Sequence, residues 1–420
     1  MLKKILATLI FIAAAAASGY AILLKRSHPI FYKGASVPTT DPTKPKILLV
    51  CLSIGMGGGE NHILALYKKL YANGYDASLL INENSALEAQ LKDLGLPFYT
   101  TCANHFSGIA RPLYHLALQA TLSALCKTKQ FDIIHTNNRP ETPDALSLKK
   151  SHPVRVVLTQ HVPTFKHFSD LRGLDELVVV GPRMVEMAQN ANIQNHFSIP
   201  MISWIPPLLS IEKFLTFTPQ ESREAFFHEI IKQDLKPYPV ICMIANFYGD
   251  LDHKNHVLMI RAVKQLVDKQ KPVYVVFAGD GSSRPAMEKM ATELGLEEYI
   301  HFLGFYKNTP ALLHHSDMMV LTSKNEALGI VYLEAGLMKK SAIGASGTGA
   351  EAVLINEKTG LLFKNNDLDD LVAQIERLID SPDFARRLGQ NAYQHVMQNF
   401  SPDVVFKQYQ KLYERLGSIN

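Results

Sequence analysis

Two glutamates eight positions apart, Glu326 and Glu334 in "NEALGIVYLEAGLMKK", flank and interrupt a run that is otherwise apolar from Ala327 to Met338. On a helix, Ile330, Leu333 and Leu337 form one stripe, Val331, Ala335 and Met338 the adjoining one, and Glu334 is the only charge among them. A buried carboxylate without partners costs several kcal/mol or more, so it needs donors from side chains, backbone or a ligand's hydroxyls. At roughly 1.5 Å per residue the two glutamates stand up to about 12 Å apart, the reach of a nucleotide sugar from ribose to sugar ring. The helix N-terminus near Leu328, Gly329 and Ile330 would then face the diphosphate between them. A core helix whose glutamate is neutralised or salt-bridged fits the same spacing.

A second candidate is "SIGMGGGEN", which follows an apolar strand and opens a helix. Gly57, Gly58 and Gly59 let backbone N–H groups approach an anion at the helix start, where the macrodipole also favours negative charge. The loop lacks the Lys-Ser/Thr ending of a P-loop and the G-x-G-x-x-G fingerprint, so a tight structural turn is the alternative. Asp250 and Asp252 read as a polar loop, His314 and His315 as a helix surface, and Asp367, Asp369 and Asp370 as an acidic helix start. Cys51, Cys102, Cys126 and Cys242 lie far apart without C-x-x-C pairing and are expected as buried free thiols.

These residues must be positioned by an α/β scaffold. The chain has 420 residues, 47% hydrophobic and 20% charged, which suits two globular domains and excludes a disordered chain. Its formal charge of +4 comes from scattered basic residues, so no nucleic-acid stripe is implied. Continuous apolar strands starting at Ile47, Ala77, Phe131, Arg155 and Glu176 alternate with helical patterns and point to a parallel sheet covered on both faces. The pattern breaks across "PPLLSIEKFLTFTPQ" and restarts with strands at Val240, Val273, Ile300, Met318, Ser341 and Gly360. The expected organisation is 46–212 for the first Rossmann-like domain, 213–400 for the second and 401–420 for a C-terminal helix. Two doubly wound domains facing a cleft would receive loops from both sides.

Ahead of the body, Ile5 to Leu24 is uncharged for 20 positions, enough as a helix to cover a roughly 30 Å hydrocarbon core. Residues 1–26 are expected to be a membrane anchor, with a cleaved signal as the alternative because Lys3, Lys4 and the Ala15-Ala16-Ala17 triplet also suit one. Lys25, Arg26, Lys33, Lys44 and Lys46 outnumber Lys3 and Lys4, which places the body in the cytoplasm at an inner or cytoplasmic membrane. Residues 27–45, with four prolines, read as a linker.

The segment "SKNEALGIVYLEA", preceded by "FAGDGS", "FLGF" and "SDMMVLTS" and followed by "GTGAEAVLINEKTGLLF", resembles the C-terminal domain of family 4 glycosyltransferases with the GT-B fold. "GGGEN" and the strand and helix after it resemble the N-terminal domain of that family. The resemblance implies a retaining enzyme that moves a sugar from a nucleoside diphosphate to an acceptor hydroxyl. Glu326 would hold donor-sugar hydroxyls and Glu334 the ribose. Lys254 in "DLDHKNH" would bind the diphosphate, and His161 in "LTQHVP" would stand near the reacting sugar. Where many members carry an arginine before that lysine, this chain has Asn246 and Tyr248. No cofactor and no obligatory metal are expected. The expected partners are a nucleotide-sugar donor, a glycan or lipid-linked acceptor and the membrane, with no nucleic acid. A nucleotide-sugar epimerase and a membrane-tethered, non-catalytic sugar-nucleotide-binding protein are the competing readings.

Overall fold

The computed structural model describes residues 29–34, 40–101, 111–165, 168–194, 199–248 and 253–418. The apolar run Ile5–Leu24, Cys102 and the Asp250/Asp252 pair lie outside the described residues. Among the described residues, no helix is long and apolar enough to cross a membrane.

The chain divides into two compact units. One comprises Met1–Val180, Val185–Leu208 and Phe406–Asn420, the other Gly181–Met184 and Leu209–Val405. Each is an α/β body with its own sheet.

The first unit holds β1 (Ile30–Tyr32), β2 (Ile47–Cys51), β3 (Ala77–Asn82), β4 (Phe98–Thr101), β5 (Ile133–Thr136), β6 (Arg155–Gln160), β7 (Glu176–Val179) and β8 (Ile202–Trp204). The sheet order is β1-β4-β3-β2-β5-β6-β7-β8. All pairings are parallel except β1 on β4, which is antiparallel. Every residue of β2 is buried, the sign of a strand covered on both faces, and its five apolar side chains supply no polar face to expose. The chain moves outward from β2 through β3 to β4, then returns to place β5 on the other side of β2. The switch point therefore lies between the carboxyl ends of β2 and β5, where parallel sheets bind ligands.

The second unit holds β9 (Val240–Ile244), β10 (Tyr274–Ala278), β11 (Ile300–Phe302), β12 (Met318–Leu321), β13 (Ser341–Ala345) and β14 (Leu361–Phe363), in the order β11-β10-β9-β12-β13-β14. All of its pairings are parallel. Here the switch point falls between β9 and β12.

Three findings correct the sequence reading. The expected linker contributes an edge strand, because Ile30–Tyr32 pairs with β4. The expected glycine loop is shorter than proposed: the helix starts at Gly58 and runs to Ala72, so Gly58 and Gly59 form its first turn and Gly57 is its N-cap. Only His314 of the histidine pair keeps exposure; His315 is buried and stacked on Phe226 at 4.5 Å between ring centres. The acidic start at Asp367 does cap the helix Leu368–Asp380, its carboxylate accepting from the Asp370 N–H. Cys51, Cys126 and Cys242 are buried free thiols, and burial pushes Cys51 and Cys242 up to about 12.

The C-terminal helix Pro402–Gly417 ends in the first unit, where Tyr409 and Tyr413 enter the core. The Tyr413 hydroxyl lies 2.6 Å from Nδ1 of His135, and the His135 Nε2 lies 2.7 Å from Thr159 Oγ1. Arg415 pairs with the fully buried Glu176. A buried carboxylate so held strongly disfavours release of the helix.

Candidate functional site

The switch point of the second unit gathers most of the residues singled out from the sequence. β9 leads into Ala245–Tyr248 and onward to Lys254, while β12 leads into Thr322 and Ser323 and onward to Glu326. Thr322 Oγ1 lies 2.9 Å from the Lys254 carbonyl and 2.8 Å from the Asn255 carbonyl, tying the two strand exits together. The result is a pair formed across 72 positions of sequence: Lys254 Nζ donates to Glu326 Oε2 at 2.7 Å. The Ala327 N–H donates to the other oxygen at 3.3 Å. The Glu326 side chain keeps 13% exposure and that of Lys254 34%, so both remain open to a ligand.

From Glu326 the chain turns through Leu328 and Gly329 into the helix Ile330–Leu337. Gly329 is the N-cap with φ +82, a left-handed conformation that a side chain resists, and a Cβ there would fall 2.4 Å from the Tyr332 ring. No side chain caps this helix, so its first N–H groups are donors for an anion. Gly349 closes the far side. Its N–H donates to the Glu326 carbonyl at 2.8 Å, and a Cβ would stand 2.0 Å from the Ala327 carbonyl oxygen. Gly349→Ala must push the Glu326–Ala327 backbone away. The expected outcome is a loss of turnover of about 100-fold, the scale of a 1 Å misplacement, with a lowered melting temperature.

Glu334 is half-buried on that helix. Its carboxylate has no hydrogen-bond or ion-pair partner among the described residues, and burial pushes it up to about 7, partly offset by the charge of Lys213. Lys213 is itself engaged, donating to Thr309 Oγ1 at 3.2 Å. Of the alternative that the spacing also allowed, a salt bridge finds no partner among the described residues, while a value raised to about 7 fits a glutamate that is partly neutralised. Ser323, 1% exposed and at the same strand exit, likewise has an Oγ without a partner.

The first unit builds its own polar cluster at the β2/β5 switch point. Asn137, just past β5, donates from Nδ2 to the Gly59 carbonyl at 3.0 Å, which turns its Oδ1 toward His161 Nε2 at 3.0 Å. With the amide oriented in this way, the His161 proton sits on Nε2 and Nδ1 is left as an acceptor. Burial lowers His161 to about 4, so the ring is neutral at pH 7. Gly59 lies close against it: a Cβ would stand 3.2 Å from the His161 ring, so the ring would have to shift by a few tenths of an ångström. Asn138 donates to Ser53 Oγ at 3.0 Å, joining the β2 and β5 exits a second time. His62 is structural, its Nδ1 accepting the Leu208 N–H at 2.9 Å and its Nε2 facing the Tyr409 hydroxyl.

Sequence reasoning missed two acidic groups near this cluster. Glu141 is 4% exposed, its Oε2 is unpartnered, and burial pushes it up to about 8. Asp144, 2% exposed, accepts from Gln119 Nε2 and pairs with His115 Nδ1, both at 2.8 Å. The available signal was the polar run "HTNNRPETPD" immediately after an apolar strand. Among the described residues, no group of three or more His, Cys, Asp or Glu is arranged to hold a metal ion.

Two parallel α/β sheets, each with polar residues at its switch point, define the class. The family model described as "Glycosyl transferases group 1" matches residues 228–395, and "Glycosyltransferase Family 4" matches residues 56–188. The chain is similar to N-acetyl-alpha-D-glucosaminyl L-malate synthase of Bacillus anthracis, 23% identical over 88% of this chain and 97% of that protein. It is also similar to a lipopolysaccharide core biosynthesis glycosyltransferase of Rhizobium meliloti, 31% identical over 37% of this chain and 45% of that protein. In fold it matches a glycosyltransferase crystal structure from Rickettsia africae, with a TM-score of 0.76, 21% identity, and 90% of this chain and 100% of that one covered. HepE of Anabaena, solved in complex with UDP and glucose, matches with a TM-score of 0.72 and 19% identity over 88% of this chain and 100% of that one. The chain belongs to the family 4 glycosyltransferases and is a glycosyltransferase of the GT-B fold.

Proposed function

We propose that the chain transfers a hexose or N-acetylhexosamine from a nucleoside diphosphate sugar to an acceptor hydroxyl with retention at the anomeric carbon, and that the second unit binds the donor. The observation that carries this reading is Glu334, a half-buried carboxylate without a hydrogen-bond or ion-pair partner among the described residues, on a helix whose N-terminal N–H groups are uncapped by any side chain. Ribose hydroxyls supply the donors Glu334 lacks. The diphosphate meets Lys254 and the N–H groups at Leu328, Gly329 and Ile330, and the sugar hydroxyls meet Glu326. In the first unit, taken by itself, His161 holds a neutral Nδ1 that can accept from a hydroxyl, and the first turn at Gly58 and Gly59 lies beside that ring.

In the transfer, the bond from the anomeric carbon to the diphosphate oxygen breaks and a bond from that carbon to the acceptor oxygen forms on the same face. The acceptor proton passes to the departing phosphate. Lys254 and the helix N-terminus stabilise the negative charge that develops on the leaving group, the step in which preorganised donors act most strongly. The chemistry as written uses no metal and no cofactor.

The HepE complex with UDP and glucose makes a uridine diphosphate sugar the first donor to test. The L-malate and lipopolysaccharide-core names of the relatives differ in acceptor, so the acceptor follows instead from the apolar run Ile5–Leu24: a glycan or lipid-linked glycan at an inner or cytoplasmic membrane, with the catalytic units in the cytoplasm. The test incubates the full chain with UDP-, GDP-, ADP- and dTDP-sugars and a membrane extract. A labelled sugar appearing in extracted glycan or lipid in the anomeric configuration of the donor supports the proposal. A second free sugar nucleotide formed without acceptor would mean epimerisation instead.

A further inference from the structure

Edge strands of sheets are normally short, charged or covered, because an apolar edge invites unwanted pairing. β1 is short, yet it leaves Ile30 54%, Phe31 51% and Tyr32 37% exposed. Its side chains are fixed in place: Phe31 packs on Tyr99 at 4.9 Å and Tyr32 stacks on Phe98 at 4.7 Å between ring centres. Beside Phe31 opens a cavity of about 180 Å³ whose lining includes Tyr67, Tyr71, Tyr75, Tyr99 and Lys129. Lys92 reaches over the Tyr32 ring at 4.5 Å, and Lys33 follows the strand. Aromatic rings interleaved with lysines are the composition of a membrane–water interface, where rings sit at the headgroups and lysines reach for phosphate.

Chain length selects the occupant. The uncharged run Ile5–Leu24 ends six residues before Ile30, and six extended residues cover at most about 20 Å. The pairing of β1 with β4 removes the slack that a linker running to Pro45 would have provided. We propose that the β1 edge of the first unit rests on the bilayer, with Ile30, Phe31 and Tyr32 at the headgroup level and Lys33 and Lys129 facing anionic lipid, while Lys92 stays paired with Glu88 at 2.7 Å. This rests on the reading of residues 1–26 as a membrane anchor.

The chain contains a built-in control. Its single tryptophan, Trp204, lies on β8 at the opposite edge of the sheet, seven strand spacings or about 34 Å from β1, and is 39% exposed. The experiment places the full chain in vesicles of phosphatidylcholine with a minority of phosphatidylglycerol, with and without bromine on the phosphatidylcholine acyl chains. Trp204 emission is expected to be the same in both. Phe31→Trp in a Trp204→Phe background is expected to lose at least ~2-fold on brominated lipid, as an aromatic held in the interface would. Tyr32→Trp in the same background is the second reporter should the first disturb folding. Emission as insensitive as that of Trp204 from a chain that floats with the vesicles overturns the proposal and leaves the anchor standing. The same insensitivity with a dimer cross-linked through β1 assigns the edge to a second copy and overturns it too. A chain that does not float overturns both readings.

Discussion

Lys254→Ala is expected to lower kcat/KM by about 100- to 1,000-fold while barely moving the melting temperature. The loss is the scale for removing one preorganised donor from a charge that develops in the transition state. The stability effect is the smaller one because Lys254 is the more open partner, 34% exposed against 13% for Glu326, so water can take the place of its ammonium at the carboxylate. Lys254→Arg should recover little, because a planar fork does not occupy the place of a compact ammonium 2.7 Å from Glu326 Oε2. Steady-state kinetics and a thermal melt on the same preparations separate the two effects. Equal losses of activity and stability would make Lys254 a structural residue.

Replacing Glu334 should act on binding more than on turnover. Two charge-assisted hydrogen bonds to ribose, with compensation from water, amount to about 3 kcal/mol, so Glu334→Ala should weaken nucleotide-sugar affinity by roughly 100-fold. The pH dependence has a definite sign. Burial holds the free carboxyl up at about 7, and ligand hydroxyls donate to its ionised form. Affinity in the wild type should therefore rise from about pH 6 to about pH 8 and then level off, a slope that Glu334→Gln lacks. Stability runs the other way. Between the ordinary glutamate value of 4.5 and about 7 the folded chain keeps a proton the unfolded chain has lost, so stability falls as pH rises through that window. The fall is on the order of 2 kcal/mol, allowing for partial exposure, and Glu334→Gln should abolish it.

The second sheet was largely legible in the sequence because its strands are continuous apolar runs, and both faces of such strands are buried. β1, β4 and β8 were not. Each has only three or four residues, and β1 and β8 remain partly or largely exposed, so hydrophobicity carries no boundary signal there. In the site, Glu334 was readable because a charge within an apolar helix stands out. The pairing of Lys254 with Glu326 was not, since 72 positions separate them and only the β9/β12 crossover brings them together. The run after β5 was visibly polar, yet nothing in it distinguished Asn137, which orients His161, from Glu141, which is buried with an unpartnered oxygen.

The central claim is that Glu334 meets the donor as a carboxylate. It is tested by calorimetric titration at about pH 7 in buffers of different ionisation heat, using whichever sugar nucleotide of the panel raises the melting temperature. Binding to the wild type is expected to release about half a proton, and binding to Glu334→Gln none. Binding heats identical in every buffer for the wild type, or proton release that persists in Glu334→Gln, would contradict it.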